Sequence, residues 1–418
     1  MDLYTLIIGA SSVIILSFFF GEMARKTNIP SVLMLIILGL IIQYVAGDLI
    51  NKNDLDFLLT ILGTVGLIMI VLEAALELKL SRDKYWPIAK ALFIALVGLL
   101  ASTYVAASIL EWRVEGMDTA TAWLYATPLS ILSSAIIIPS VGGLKLEKKE
   151  FHIYESTFSD IMGIMLFYFL TGQLDAAEHS SGLGGFGGTV LLTIGLSIIA
   201  SYIIIFIFQN IKSHTKLFLL IAVLLLFYAV GKMMHLSSLI IILVFGLIIA
   251  NMKLFFRGKL GELLHVERAN NIYEGLHTIT METAFVVRTF FFVIFGLTIS
   301  LATLYNLEVA MISLLIIASI YAIRFVVLRL FVGKDILPQL FIAPRGLITI
   351  LLFYAIPTSA KVEGFEPGIL LFIIIATSII MTLALIKDKQ LTSLAIKKAN
   401  EKPVEYEQWE APDADGYS

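Results

Sequence analysis

Long apolar segments recur along this sequence from one end of the chain to the other, and they set the narrowest limit on its fold. Each segment holds roughly 17–23 residues, the length that an α-helix needs to cross about 30 Å of hydrocarbon. Of the 418 residues, 59% are hydrophobic and only 15% are charged, which excludes an ordinary soluble domain. The short alternating strands of a membrane β-barrel are missing. The pattern therefore predicts an all-α membrane protein.

About 13 transmembrane helices are predicted. The predicted spans are residues 3–21, 30–47, 56–76, 87–110, 119–141, 154–171, 189–210, 215–233, 236–252, 281–300, 308–331, 337–357 and 366–386. With the N-terminus placed outside, the loops assigned to the cytoplasm hold 21 Lys and Arg residues, against four in the opposite loops. This asymmetry predicts an external N-terminus and a cytoplasmic C-terminus. We expect a multi-pass protein of a bacterial-type inner (plasma) membrane.

Three segments fall outside the predicted spans. Residues 172–188 form a Gly-rich outer loop, and the tail 387–418 ends in an acidic stretch that we expect to be disordered. Residues 253–280 mix basic and apolar residues at helical spacing, which suits either a cytoplasmic helix on the membrane surface or a solvated connector. The chain has no cysteine, so disulfides and thiolate metal sites are excluded.

Charged residues inside the predicted spans are few, and each is expensive to bury in a membrane. Asp160 lies in the sixth span with Ser156 four residues before it, so that both side chains occupy one helix face. A carboxylate beside a hydroxyl makes a hard oxygen site suited to Na⁺, K⁺ or H⁺. The alternative is a structural aspartate paired with an arginine of another helix.

The other buried charges also allow more than one interpretation. Arg324 lies deep in span eleven and needs a buried acid, which either Glu155 or Asp160 can supply. Glu155 alternatively complements its helix dipole. Glu73 either lines an access funnel or reaches the lipid headgroups, and Arg288 is interpreted as an interfacial anchor.

Two spans contain helix-breaking residues at membrane depth. Span five holds Pro128 and Pro139 around a serine cluster that includes Ser133 and Ser134, and span twelve places Arg345 between Pro344 and Gly346. Such interruptions are tolerated where they line a cavity, and inverted-repeat transporters place their ion site there. Ordinary proline kinks between packed helices are the alternative.

These motifs together resemble the monovalent cation/proton antiporters, in particular the electroneutral sodium/proton exchanger branch (NhaP type). The resemblance extends over nearly the whole chain. It is carried by NIPSVLMLIILGLIIQ in span two, LEAALELKL at the end of span three, ESTFSD in span six, RTFFFVIFGL in span ten, the arginine at position 324, and PRGLI in span twelve. ESTFSD is similar to the signature Glu-Ser-x-x-Asn-Asp, with Ser159 at the position of the asparagine.

The resemblance implies an inverted-repeat antiporter fold with two broken crossing helices, and it implies roles for individual residues. Asp160 would bind the cation or the proton in turn, with Ser156 as an auxiliary oxygen and Ser159 beside it. Glu155 and Arg324 would form an ion pair that stabilises the helix crossing. Supporting positions would be Ser133, Ser134, Arg345 and Glu73.

The resemblance also implies a homodimer built from a dimerisation domain and a mobile core domain. The expected divisions are 1–110 (dimerisation spans 1–3 and the first core helix), 111–171 (core spans 5–6 with the ion site), 172–188 (outer loop), 189–300 (linker span 7 and dimerisation spans 8–10, with the amphipathic segment 253–280), 301–386 (core spans 11–13) and 387–418 (tail).

The sequence departs from the family pattern in span five. The family usually has Thr-Asp-Pro in the unwound part of this span, where the present chain aligns Leu132, Ser133 and Ser134. One carboxylate that would bind the cation is therefore missing, which weakens the binding of a strongly hydrated ion such as Na⁺.

The function expected from the sequence is exchange of a monovalent cation for H⁺, with Na⁺ favoured over K⁺, as part of pH homeostasis. No cofactor and no nucleic-acid partner are expected. The alternative is a sensor or scaffold that keeps the antiporter fold without transport. A channel would need repeated polar rings along a pore, and no motif of a membrane enzyme is present.

Overall fold

A computed structural model describes residues 3–27, 30–46, 52–80, 82–177, 183–211, 216–233, 238–256, 264, 266–298 and 306–401. Within these ranges the regular structure is entirely helical. The α-helices are α1 (Leu3–Thr27), α2 (Ser31–Ala46), α3 (Lys52–Glu77), α4 (Tyr85–Arg113), α5 (Thr119–Ser130), α6 (Ser134–Ser140), α7 (Leu146–Ala177), α8 (Leu183–Phe208), α9 (Lys216–Met233), α10 (Ser238–Ala250), α11 (Met252–Phe255), α12 (Val266–Thr298), α13 (Leu307–Phe331), α14 (Leu347–Tyr354) and α15 (Gly368–Glu401).

The helical membrane architecture predicted from the apolar segments is confirmed. A helix lies on each of the thirteen predicted spans, and spans five and twelve are each divided into two pieces. Among the described residues, seven helical segments are long and apolar enough to cross a membrane, counting the interrupted span five as one, and three shorter apolar helices accompany them. The number of crossings stays a prediction.

Several helices extend beyond the predicted spans. α7 starts at Leu146, and α15 continues to Glu401. α12 starts at Val266, so residues 266–280 of the segment 253–280 are continuous with the helix of span ten. Much of the predicted outer loop is also helical, because α7 ends at Ala177 and α8 starts at Leu183. Hydropathy detects only the apolar part of a helix, whereas backbone hydrogen bonding continues into its amphipathic ends. Residues 178–182 and 402–418 lie outside the described ranges.

The helices pack in two groups. In one group α4 packs against α5, α7 and α13, and α13 packs against α15; in the other α12 packs against α2 and α3, and α10 packs against α3, α8 and α9. One apolar core cluster includes residues of both groups.

α2 and α12 approach closely enough to require glycine at their contact. A Cβ added to Gly39 would lie 2.9 Å from the Cα of Gly296, a distance that real side chains do not adopt. The first group positions the candidate site, because it contains α5, α7 and α13, and α6 packs against α7.

Candidate functional site

Span five is interrupted in the middle of the protein. α5 ends at Ser130 and α6 begins at Ser134, and the intervening backbone is extended at both Ile131 and Ser133. Pro128, inside α5, lacks the N–H that would continue the helical hydrogen bonding. The predicted break therefore falls on the serine cluster, and backbone groups of residues 131–133 are left to bond elsewhere.

Span twelve is interrupted beside it. A short 3₁₀ turn at Gln339–Phe341 is followed by non-helical backbone up to Gly346, after which α14 begins. The backbone N–H of Ser133 donates a hydrogen bond of 3.0 Å to the carbonyl of Pro344. A Cβ at Gly346 would lie 2.5 Å from Ser133 Oγ, so only glycine allows the two breaks to approach this closely.

α7 lies against the break in span five and supplies two polar side chains to it. Asp160 is fully buried, and its Oδ2 accepts a hydrogen bond of 3.3 Å from the backbone N–H of Ser134. Ser159 Oγ accepts one of 3.0 Å from the N–H of Leu132. Asp160 Oδ1 is buried and has no hydrogen-bond partner among the described residues. The carboxylate thus keeps one oxygen available for a ligand.

Ser156 is also fully buried, one helical turn before Asp160. Its hydroxyl donates a hydrogen bond of 2.7 Å to the carbonyl of His152. Because the hydroxyl proton is used in this way, the lone pairs of the oxygen remain available to a cation or a water molecule.

Glu155 and Arg324 form a bidentate ion pair. Arg324 Nη1 lies 2.8 Å from Glu155 Oε1, and Nη2 lies 2.9 Å from Oε2. The third donor, Nε, bonds the carbonyl of Gln339 at 3.0 Å. The arginine therefore joins α7, α13 and the chain that enters the break in span twelve, and Asp160 is left outside the pair.

His152 is a member of this cluster that the sequence analysis did not single out. It lies inside α7 and is fully buried. Its Nδ1 is 3.3 Å from Glu155 Oε2. The three-residue spacing to Glu155 was the available signal, since residues at i and i+3 are neighbours on a helix.

Arg345 binds backbone carbonyls at the crossing. Its Nε donates to Leu129 O at 2.8 Å, its Nη1 donates to Ala343 O at 2.9 Å, and its backbone N–H donates to Thr377 Oγ1. The side chain is buried. It satisfies carbonyls that the interrupted helices leave without an intrahelical donor, a role that the sequence did not reveal.

Glu73 does not join the crossing through any hydrogen bond among the described residues. It forms a half-buried ion pair with Arg288, with Nη2 at 2.9 and 3.1 Å from the two carboxylate oxygens. This pair links α3 to α12. The structure thus pairs two residues for which the sequence predicts separate roles, a funnel lining or headgroup contact for Glu73 and an interfacial anchor for Arg288.

A small cavity adjoins the Glu155–Arg324 pair. Its volume is about 30 Å³, which is room for about one water molecule, and its polar lining includes Ser130, Glu155, Ser159, Arg324 and Arg345. No group of three or more His, Asp or Glu residues that could hold a metal ion occurs in the part of the chain that the structure describes.

One family model matches most of the chain. Residues 13–387 match the family model described as sodium/hydrogen exchanger, transmembrane. No curated protein sequence matches the chain. The structure is similar to that of the sodium proton antiporter MjNhaP1 from Methanocaldococcus jannaschii at pH 8, with a TM-score of 0.67 and 20% identity over 92% of this chain and 99% of that one. An electron-microscopy structure of the same antiporter gives a TM-score of 0.66 and 18% identity over 96% and 99% of the two chains.

Proposed function

The chain belongs to the sodium/hydrogen exchanger family, and on that premise we propose that it is a secondary active antiporter. It exchanges a monovalent cation for H⁺ by alternating access. Asp160 carries the cation and the proton in turn. Na⁺ is the cation we favour, and K⁺ is the second candidate.

The observation that carries this proposal is the state of the Asp160 carboxylate. It is fully buried at the crossing of two broken helices, one oxygen bonds a backbone N–H, and the other has no partner among the described residues. The nearby arginines are occupied, Arg324 by Glu155 and Arg345 by carbonyls. A buried acid that keeps a free oxygen is available to a transported ion.

The exchange follows from the free energy of moving a charge through a hydrophobic barrier. A charged aspartate at the centre of a membrane helix costs about 2.5–3.5 kcal/mol on insertion scales. Either a cation or a proton neutralises Asp160 and removes this barrier. The empty, charged form cannot readily move through the barrier. Each movement of the core between the two sides of the membrane therefore carries one of the two ions.

The remaining cation ligands are oxygens of the same crossing. Ser156 Oγ and Ser159 Oγ retain lone pairs after the hydrogen bonds described above, and Ser133 and Ser134 lie at the break itself. Because Leu132, Ser133 and Ser134 occupy the positions where the family has Thr-Asp-Pro, we expect weaker binding of Na⁺ than two carboxylates would provide.

The larger arrangement belongs to the same proposal. The first helix group is the mobile core, and the second group forms the dimerisation domain of a homodimer, with the divisions expected from the sequence. The N-terminus is external and the C-terminus is cytoplasmic, in a bacterial-type plasma membrane. Cation-coupled proton exchange in that membrane serves pH homeostasis.

The test is cation-dependent proton flux in proteoliposomes, followed with a pH-sensitive dye and repeated with Na⁺, K⁺ and Li⁺. We expect wild type to respond to at least one cation and Asp160→Asn to abolish the flux while the protein stays folded and monodisperse. Asp118→Asn is the matched control, because Asp118 is exposed and outside the crossing. Full activity of Asp160→Asn would reject Asp160 as the carrier.

A sensor or scaffold is the second candidate function. The observation that favours it is the replacement of the span-five acid by Leu132 and Ser133. This function predicts that wild type gives no proton flux with any of the three cations. An ion-selective flux that depends on Asp160 excludes it.

A further inference from the structure

A second cavity lies at the end of α4, between the N-terminal ends of α13 and α15. Its volume is about 390 Å³, within the range of ligand sites. The floor is apolar and buried and the rim is charged. The floor residues are Val114, Val309, Ile312 and Ile369, and the charged residues are Arg113, Glu115, Glu308 and Glu366.

Arg113 has hydrogen-bond donors that the described part of the chain does not use. Its Nε is buried without a partner, and no ion pair joins its guanidinium to a described carboxylate, although three glutamates line the same cavity. The guanidinium carbon lies 3.8 Å from the centre of the Trp112 ring. A guanidinium held in this way is suited to a phosphate or carboxylate group of a ligand.

The three glutamates determine which anionic ligands the cavity can accept. All three are exposed on the rim. Three carboxylates against one guanidinium repel a ligand of net negative charge and attract an ammonium group, with which they also form hydrogen bonds. The cavity therefore favours a molecule that carries an anionic group and a primary ammonium together.

The surface next to the cavity indicates that this molecule is a lipid. On α4, Tyr104 and Trp112 are 61% and 69% exposed, and they share a helix face. On α13, Leu307, Met311 and Leu314 are 83%, 37% and 56% exposed at helical spacing. Trp112 adjoins Arg113, and Leu307 adjoins Glu308, so both apolar faces begin at the rim.

We propose that this cavity binds the headgroup of a zwitterionic phospholipid with a primary ammonium, phosphatidylethanolamine. The phosphate lies on Arg113 and the ammonium lies among Glu115, Glu308 and Glu366. The acyl chains follow the exposed faces of α4 and α13. A choline headgroup has no N–H to donate, and a phosphatidylglycerol headgroup carries net negative charge, so both bind less well.

The experiment measures retained lipid by native mass spectrometry. The purified full chain is exchanged into mixtures of phosphatidylethanolamine, phosphatidylcholine and phosphatidylglycerol with identical acyl chains. We expect wild type to retain phosphatidylethanolamine at least about tenfold over the other two, which corresponds to about 1.4 kcal/mol. Equal retention of the three lipids, or preference for phosphatidylglycerol, would overturn the proposal.

Variants test whether the preference for phosphatidylethanolamine arises at this cavity. The double variant Glu308→Gln/Glu366→Gln removes two rim charges and is expected to lose the preference over phosphatidylcholine, while Arg113→Gln lowers retention of all three lipids. Glu363→Gln and Lys361→Gln, exposed residues outside the cavity lining, are the matched controls and retain the preference. A preference that survives in the double variant places the lipid elsewhere.

A last measurement distinguishes binding of the lipid from binding of its free headgroup. Soluble glycerophosphoethanolamine, the same phosphodiester headgroup without acyl chains, is added at millimolar concentration to wild type in detergent. We expect no adduct, because the acyl chains supply most of the apolar contact. A stable adduct that is lost in Arg113→Gln would show that the ligand is a small soluble zwitterion and would overturn the assignment to a lipid.

Discussion

Glu155 and Arg324 form a deeply buried ion pair, with side-chain exposures of 1% and 9%. Moving two charges out of water costs desolvation free energy. The bidentate geometry and the further bond from Arg324 Nε to Gln339 O offset this cost. The partners support each other, so neither can be removed alone without leaving a buried charge. This pairing also leaves Asp160 without an arginine partner among the described residues.

Neutralising Glu155 is therefore expected to destabilise the protein strongly. Glu155→Gln leaves Arg324 buried without an acid, and we expect a loss of about 3–5 kcal/mol, seen as a lower melting temperature in detergent. The double variant Glu155→Gln/Arg324→Gln removes both charges and should recover part of the loss. Asp335→Asn is the control, because Asp335 is paired with Lys148 at the surface and is 79% exposed. A melting temperature of Glu155→Gln equal to that of wild type would contradict this account.

At the scale of elements, the crossing depends on two interrupted spans that approach each other with almost no side chain between them. Ser133 N bonds Pro344 O, and Gly346 lies against the Ser133 side chain. The backbone of Gly346 is extended, with φ −161°, so its requirement for glycine is steric and does not come from backbone strain. A methyl group at this position has to separate the two spans.

Gly346→Ala is expected to lower cation-dependent proton flux at least about tenfold and to destabilise the protein by about 1–3 kcal/mol, the usual range for overpacking. Adding Ser133→Gly removes two of the three nearest atoms, Oγ at 2.5 Å and Cβ at 3.0 Å, and should restore part of the stability. Gly142→Ala serves as the control, because a Cβ there meets nothing within 4 Å. If Gly346→Ala melts and transports like wild type, the close approach has no functional importance.

At the scale of the whole molecule, the uneven distribution of Lys and Arg between alternate loops predicts how the chain lies in the membrane. Because the chain contains no cysteine, single cysteines can report that orientation without background. Glu363 and Asp335 are exposed and fall in loops predicted to lie on opposite sides.

A membrane-impermeant maleimide should therefore label Glu363→Cys in intact cells and Asp335→Cys only in inverted vesicles. The physical reason is that loops rich in Lys and Arg are not readily moved across the membrane, so the loop with Asp335 stays in the cytoplasm. Labelling after permeabilisation controls for the reactivity of each cysteine. The reverse pattern would place the N-terminus inside and contradict the proposed topology.

The breaks of spans five and twelve were predictable to within a few residues, because Pro128, Pro344 and Gly346 disfavour a continuous helix whatever surrounds them. The ends of helices α7, α12 and α15 were harder to predict from the sequence. These helices continue into amphipathic or charged sequence, where hydropathy no longer marks a helix. The buried position of His152 was missed for the same reason, since it precedes the apolar part of α7.

The sequence by itself determined that this protein is a helical membrane protein with two interrupted spans, because apolar segments of this length must satisfy their backbone hydrogen bonds internally in lipid. Only the tertiary structure decided which charges pair. Arg324 bonds Glu155, Arg288 bonds Glu73, and Arg345 bonds carbonyls of both broken spans. Asp160 Oδ1 is left without a partner in the part of the chain that the structure describes. The choice depends on the rotation and depth of each helix against its neighbours, and those are set by packing between segments distant in the chain.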